Sequence, residues 1–203
     1  MKIFLDVGGY NGDTAQEALK HDYDLVHIFE PSRKHADALI NLARSNTQVI
    51  RYHQSGLGLR NETVVLFDSG SDGASIYSDK PQPAKTGFHE SINLLNTAQW
   101  FTKNISYKST VHMKINVEGA ELKILNALIN SGEISKVDEL LVYYDCVKIP
   151  KLGEPAANMM ERKLDGIGIL KNRVSIYRQK IVRGESLAKP YVCNWLKSIN
   201  KKA

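Results

Sequence analysis

Several absences narrow the 203-residue chain before any motif is read. There are only two cysteines, Cys146 and Cys193, with no partner at metal-ligand spacing, so neither a disulfide framework nor a structural zinc site is expected. A reducing, cytoplasmic setting follows as the expectation. No apolar run is long enough to cross a bilayer, and the chain opens on the strand-like KIFLDV without a signal-peptide core, so no membrane span is expected. Aromatics make up 8% and are not interleaved with a row of basic residues, which argues against a nucleic-acid groove. The formal net charge of +5 is spread along the chain. Its one local excess, Lys171, Arg173, Arg178, Lys180, Arg183 and the terminal Lys201-Lys202, reads as a solubilising tail. Length and composition suit one globular domain over residues 1–203.

Strand and helix patterns then alternate. Lys2 to Val7 reads as a buried strand and Asp13 to His21 as a helix with Ala15, Ala18 and Leu19 on one face. Asp24 to Phe29 is a second strand, stopped by Glu30-Pro31. Ser32 is placed to cap a helix reaching about Arg44, and Thr47 to Gln54 is a third strand. Further strands are expected at Glu62 to Phe67, Val111 to Val117, Glu139 to Tyr144 and Val174 to Arg178. Helices are expected at Asn96 to Lys103, Ala120 to Ile129 and Ala156 to Leu164. This is the order of an α/β fold with a parallel sheet covered on both faces. Residues 68–90 are rich in Gly, Ser, Asp and Pro, and longer than a connection needs, so they read as a lid or substrate loop.

The chemistry concentrates where strands end. The run Asp6-Val7-Gly8-Gly9-Tyr10-Asn11-Gly12 leads a strand into a helix and lets a ligand approach the backbone. A dinucleotide fingerprint needs a second glycine where Tyr10 stands. The carboxylate of Asp6 would repel a pyrophosphate and attract, directly or through water, the ammonium and hydroxyl groups of a ligand without phosphate. S-adenosylmethionine is such a ligand. Glu30, closing the second strand, is placed to accept both ribose hydroxyls.

The segments FLDVGGYNGDT, VHIFEPS, HQSGLG and KINVEGAELKIL resemble, in order and spacing, the hallmark segments of the FkbM-type S-adenosylmethionine-dependent methyltransferases, over about Ile3 to Leu128. The resemblance implies a class I methyltransferase (Rossmann-like) fold, with a mainly parallel seven-stranded sheet, helices on both faces and an antiparallel last strand. It implies methyl transfer to a hydroxyl of a sugar, glycan or other small metabolite. Carried over by position, Asp6, Gly8, Gly9, Tyr10, Asn11 and Gly12 would line the methionine end of the cofactor, with Thr14 near its carboxylate. Glu30 would hold the ribose, Pro31 would pack near the adenine, and Ser55 and Gly56 would border its edge. Asn116 to Glu118 would face the methyl group and the acceptor.

This chain has Tyr10 where the family usually has asparagine, so ring packing is expected to replace a polar contact there. It has Asn116 where the family usually has aspartate, and asparagine cannot take a proton at neutral pH. A hydroxyl acceptor needs a base, and Glu118, Asp145 and His89 are the candidates, in that order. Each has a plainer reading: Glu118 as a helix-start carboxylate, Asp145 as a solvated strand end, His89 as a loop residue. His27 and His112 read as packed or exposed, and Tyr143-Tyr144 as one core ring and one surface ring. The alternatives to an enzyme of this class are a non-catalytic S-adenosylmethionine-binding module, which Asn116 would suit, and a nicotinamide-dependent oxidoreductase, against which Tyr10 counts.

Overall fold

Side-chain alternation across strands builds the centre of the molecule. In β1 (Lys2–Val7) every residue after Lys2 is buried, which a strand achieves only with both faces covered. Ile3, Leu5 and Val7 enter one apolar cluster and Phe4 enters a second on the other face. The chain continues through α1 (Asp13–Ala18), β2 (Leu25–Phe29), α2 (Arg33–Ser45), β3 (Ile50–His53), β4 (Gly56–Gly58), β5 (Glu62–Leu66), β6 (Glu90–Asn96) and α3 (Thr97–Asn104). It ends with β7 (Thr110–Ile115), α4 (Glu121–Ser131), β8 (Glu139–Tyr143), α5 (Gly153–Gly166), β9 (Val174–Tyr177) and α6 (Ala188–Asn200). The computed structural model describes residues 1–81, 87–169, 174–177 and 188–201.

The central sheet runs β3-β2-β1-β7-β8-β9, and every pairing in it is parallel. Residues of α3, α4 and α5 fill the cluster on one face; residues of α1, α2 and α6 fill the other. This is an α/β fold, compatible with a Rossmann-like architecture. The sheet has six strands among the described residues, where seven with an antiparallel last strand were expected, and the last of them, β9, pairs in parallel with β8. Among the described residues no helix is long and apolar enough to cross a membrane.

A second sheet, β4-β6-β5, was not foreseen as a unit. Only β5 is expected from the sequence; β4 is a three-residue GLG strand and β6 buries the charged Glu90 on the face of Ile92 and Leu94. The strand expected from Thr47 begins at Ile50, because Asn46 ends α2 in a tight turn whose carbonyl accepts the N–H groups of Val49 and Ile50 (3.0 and 2.8 Å). Ser32 does occupy the N-cap of α2, but its hydroxyl bonds Ser69 (2.9 Å) and makes no cap. Glu90 accepts the Arg33 N–H instead (3.2 Å).

Two further expectations are corrected. Tyr143 and Tyr144 are both buried, in opposite clusters, because consecutive strand residues point to opposite faces and both faces are covered here. The terminal segment is no mere solvated tail. In α6, Val192, Trp195, Leu196 and Ile199 recur at helical spacing and are buried against the sheet, with Trp195 packed 6.4 Å from the ring of Phe4. Lys201 is exposed beyond that helix; Lys171, Arg173, Arg178, Lys180, Arg183 and Lys202 lie outside the described residues.

Trp195→Ala is expected to cost about 3 kcal/mol of unfolding free energy through lost burial and a cavity. Lys201→Ala is expected to cost less than about 0.5 kcal/mol. Urea unfolding of both variants checks whether the C-terminal helix belongs to the core.

Candidate functional site

From β1 the chain builds outward through β2 and β3, then crosses by way of the small sheet and α3 to β7 on the other side of β1. The carboxyl ends of β1 and β7 therefore diverge, and a crevice opens between them, as at every such reversal of strand order. It holds a cavity of about 1150 Å³, walled by the ends of β1, β2, β7 and β8, by the small sheet and by the 71–81 segment.

The glycine turn forms its floor. Gly8 has φ +85°, and a Cβ there would lie 1.8 Å from the Asn116 carbonyl oxygen, so no other residue fits. Gly9 backs onto Ile28, whose Cγ2 would be 2.3 Å from an added Cβ. The N–H groups of Gly8 and Gly9 both donate to the Phe29 carbonyl (2.9 and 3.1 Å), tying the turn to β2. Tyr10 follows with φ 50°. Its ring lies on His35, 4.3 Å between centroids, which is the ring packing expected in place of a polar contact.

Glu30 joins this turn from the end of β2. One carboxylate oxygen accepts the Tyr10 N–H and the other the Ser32 N–H, both at 2.9 Å. Burial pushes its carboxyl up to about 7, against the pull of those two N–H groups. Gly8, Gly9, Tyr10, Asn11, Thr14, Glu30, Pro31, Gly56 and Asn116 all line the cavity. Gly12, at φ +88°, caps α1, and it and the buried Ser55 lie behind the wall.

Asp6 is placed differently from expectation. It is fully buried and does not line the cavity. Its Oδ1 binds the Lys114 ammonium at 2.9 Å, and Lys114 also donates to the Gly8 carbonyl at 2.7 Å. Burial still drives the Asp6 carboxyl above its usual range, with Lys114 opposing. The free carboxylate that was to repel a pyrophosphate is thus a neutralised pair, and Lys114 is the charge that reaches the cavity wall. Lys114 sits opposite Asp6 in the β1–β7 register, a relation invisible until those two strands are paired.

Two of the three base candidates line the same cavity. Glu118 has φ 54°, a strained conformation for a side-chain-bearing residue. Its Oε2 meets Lys80 at 2.6 Å and Lys148 at 3.8 Å. Burial, reinforced by Asp145, pushes its carboxyl up to about 7, with Lys80 and Lys148 opposing. Asp145 is buried, not solvated, and pairs with Lys148 at 2.5 Å. Glu121, in the wall behind, accepts the N–H groups of Gly119 and Cys146, and burial pushes it up to about 8.

His89 lies elsewhere: it is exposed, its Nδ1 accepts the Asp68 N–H at 3.2 Å, and its ring packs on Phe67. It does not line the cavity and is no base for chemistry there. His27 and His112 are buried as packing residues, bonded to His53 (2.9 Å) and Tyr23 (2.8 Å).

Of the expected lid, residues 82–86 lie outside the described residues. The segment before them is pinned over the site: the Ser75 hydroxyl donates to the Glu118 carbonyl (2.7 Å), and buried Lys80 spans Glu118 and the Gly73 carbonyl (2.9 Å). Lys80, Lys114 and Lys148 are the site residues that sequence reasoning missed. No group of three or more His, Cys, Asp or Glu residues suited to a metal ion occurs among the described residues. No family model, curated protein or solved structure matches the chain.

The raised Glu30 carboxyl makes a signed prediction. Its folded form holds a proton more tightly than the unfolded chain, so its stabilising share is complete below pH 4.5 and is lost as pH rises to about 7. Relative to Glu30→Gln, the wild type is expected to lose about 2 kcal/mol between pH 5 and 7.5. Urea titrations of both proteins at those two pH values measure it; a difference that stays constant or grows contradicts the burial argument.

Proposed function

We propose that the chain is an S-adenosylmethionine-dependent O-methyltransferase that moves a methyl group to a hydroxyl of a sugar, glycan or other small metabolite. One observation carries the reading: one cavity at the switch point is lined both by the glycine turn and Glu30 and by Glu118 and Asp145. The resemblance to the FkbM-type segments points the same way, since Gly8, Gly9, Tyr10, Glu30, Pro31, Gly56 and Asn116 line that cavity in their expected neighbourhood.

The residues present fit the cofactor. Asn116 Oδ1 is buried with no hydrogen-bond partner, an acceptor waiting for a ligand donor. Glu30 keeps lone pairs on both oxygens after its two backbone bonds, enough for two ribose hydroxyls. Pro31, Leu57 and Leu94 supply an apolar wall of the kind an adenine ring packs against.

When bound, S-adenosylmethionine supplies an electrophilic methyl group. The chain's own part is alignment, exclusion of water and removal of the acceptor's proton. Glu118 is the base: it lines the cavity, with Lys80 and Lys148 beside its Oε2. Its carboxyl titrates near neutrality, where proton transfer is most effective. Asp145, held through Lys148, keeps that ammonium beside the base. The 71–81 segment, pinned by Ser75 and Lys80, walls the reacting end from bulk water.

Titration calorimetry with S-adenosylmethionine, S-adenosylhomocysteine and NADH tests the reading. Binding of the first two and not the third is expected; no binding of either sulfur ligand to folded protein overturns it. Release of S-adenosylhomocysteine in the presence of a panel of hydroxylated sugars then reads turnover. Glu118→Gln is expected to lower that turnover roughly 10²- to 10⁴-fold while leaving S-adenosylhomocysteine affinity within about twofold. Wild-type binding without turnover on any acceptor favours the non-catalytic module.

A further inference from the structure

Two turns meet where β7 and β8 end. Glu118 follows β7, and Asp145–Lys148 form a single 3₁₀ turn directly after β8. Gly119 lets them approach: its φ is +115°, and a Cβ there would lie 2.2 Å from Ile149 Cδ1. Residues i and i+3 eclipse in a 3₁₀ turn, which sets the Lys148 ammonium against Asp145 Oδ1 at 2.5 Å. The three lysines of the cavity wall differ in what they have left to offer a ligand. Lys114 is engaged by Asp6 and the Gly8 carbonyl. Lys80 binds Glu118 and the Gly73 carbonyl, and only 1% of its side chain is accessible. Lys148 lines the cavity with 24% of its side chain accessible. One of its three N–H donors faces Asp145. Glu118 Oε2, at 3.8 Å, is beyond hydrogen-bond length. An oxygen atom between the two can nevertheless stand about 2.8 Å from both. A hydroxyl suits that place, since it gives a proton to the carboxylate and accepts from the ammonium.

From this geometry we infer that Lys148 is a catalytic residue, an ammonium that donates a hydrogen bond to the acceptor oxygen while Glu118 takes that oxygen's proton, with Asp145 as its positioning residue. The inference rests on the methyltransferase reading. An alcohol is a far weaker acid than the carboxylic acid its proton would form, so transfer to Glu118 is uphill unless the charge developing on oxygen is met. Lys148 meets it without reorganisation, because Asp145 already holds it in place. In the step itself the O–H proton passes to Glu118, an oxygen lone pair forms the new O–C bond, and the electron pair of the broken C–S bond stays on sulfur. Lys148 keeps its three protons throughout. Burial disfavours its charge, but Glu118 and Asp145 outweigh burial and hold the ammonium above the ordinary lysine range. It is a donor and not a second base.

The test uses the full chain and a member of the sugar panel that gives turnover. Lys148→Met is expected to lower kcat roughly 10²- to 10³-fold, with KM changed less than about threefold and S-adenosylhomocysteine affinity, by calorimetry, within about twofold. Loss of the cation also moves the Glu118 titration upward. The comparison is therefore made on the alkaline plateau of each pH profile, where Glu118 is ionised in both proteins. A plateau restored to the wild-type level overturns the inference, since Lys148 would then only tune Glu118. A rise in KM with kcat intact overturns it too, since Lys148 would then only bind. Lys148→Arg, which keeps a charged donor, is expected to retain at least about tenfold more plateau kcat than Lys148→Met. Because Lys148→Met strands the Asp145 carboxylate, the paired variant Asp145→Asn/Lys148→Met is expected to show the same plateau loss and carries the test if the single variant fails to fold. If the wild type binds no S-adenosylhomocysteine, or binds it and turns over no acceptor, the methyltransferase reading falls and this inference with it. If the wild type turns over and the plateau ignores Lys148, this inference alone falls.

Discussion

The approach of Gly8 to the Asn116 carbonyl is the constraint on which the site depends. β1 and β7 run in register as far as Val7 and Ile115, and beyond that pair the two chains must part if a crevice is to open. Gly8 makes the parting by taking φ +85° with no side chain to strike the neighbouring strand. Its N–H and that of Gly9 then fold back on the Phe29 carbonyl, and Glu30 catches the Tyr10 N–H. With the Asn116 N–H on the Val7 carbonyl, the ends of β1, β2 and β7 are thereby locked together, leaving the side chains of Lys114 and Asn116 and the remaining lone pairs of Glu30 to define what the crevice holds.

Charge is placed at the two ends of that crevice and apolar surface between them. Leu57, Leu66, Ile92 and Leu94 line the side formed by the small sheet, while Asp6–Lys114 and Glu118–Lys80–Lys148–Asp145 stand at the strand ends. Asp6, Glu118 and Asp145 each have an ammonium within 4 Å, while the buried Glu30 and Glu121 are held by backbone N–H groups. The pairing is not complete enough to hold every acid at its ordinary strength, and Glu30 and Glu118 are both carried up to about 7. A carboxyl that shifts to that extent beside a cavity is suited to proton traffic. One that is saturated by backbone donors, as Glu121 is, is suited to holding the strand end in place.

What was legible in the sequence was local and periodic. Buried parallel strands announce themselves as apolar runs, so β1, β2, β7 and β8 and the helices after them were readable, and with them the glycine turn and Glu30. What escaped depends on pairing. β6 has only Ile92 and Leu94 as apolar residues on its buried face, where the charged Glu90 takes the third place. Lys114 acquires meaning only when β7 lies against β1, and Lys80 only when its loop folds across to Glu118. α6 was obscured because lysines at its end drew attention from the Val192, Trp195, Leu196, Ile199 spacing that buries it. Asp6 was read correctly as a strand-end acid and wrongly as a free one, since nothing in a single strand shows which cation its neighbour carries.

Asn116 illustrates the same dependence from the other side. Judged alone, an amide at a strand end beside a cavity offers no base. Judged in place, it stands in a floor that already contains Asp6 and Glu30 against the single ammonium of Lys114. A third carboxylate there would add like-charge repulsion to two acids that burial already drives upward. The amide keeps the acceptor oxygen and omits the charge, which suits a ligand group that donates hydrogen bonds. Glu118, two residues on, is met instead by the ammonium groups of Lys80 and Lys148. Two residues apart at the exit of β7, the amide faces a floor with one ammonium already paired and the acid faces two, so the charge at each position follows the cations around it.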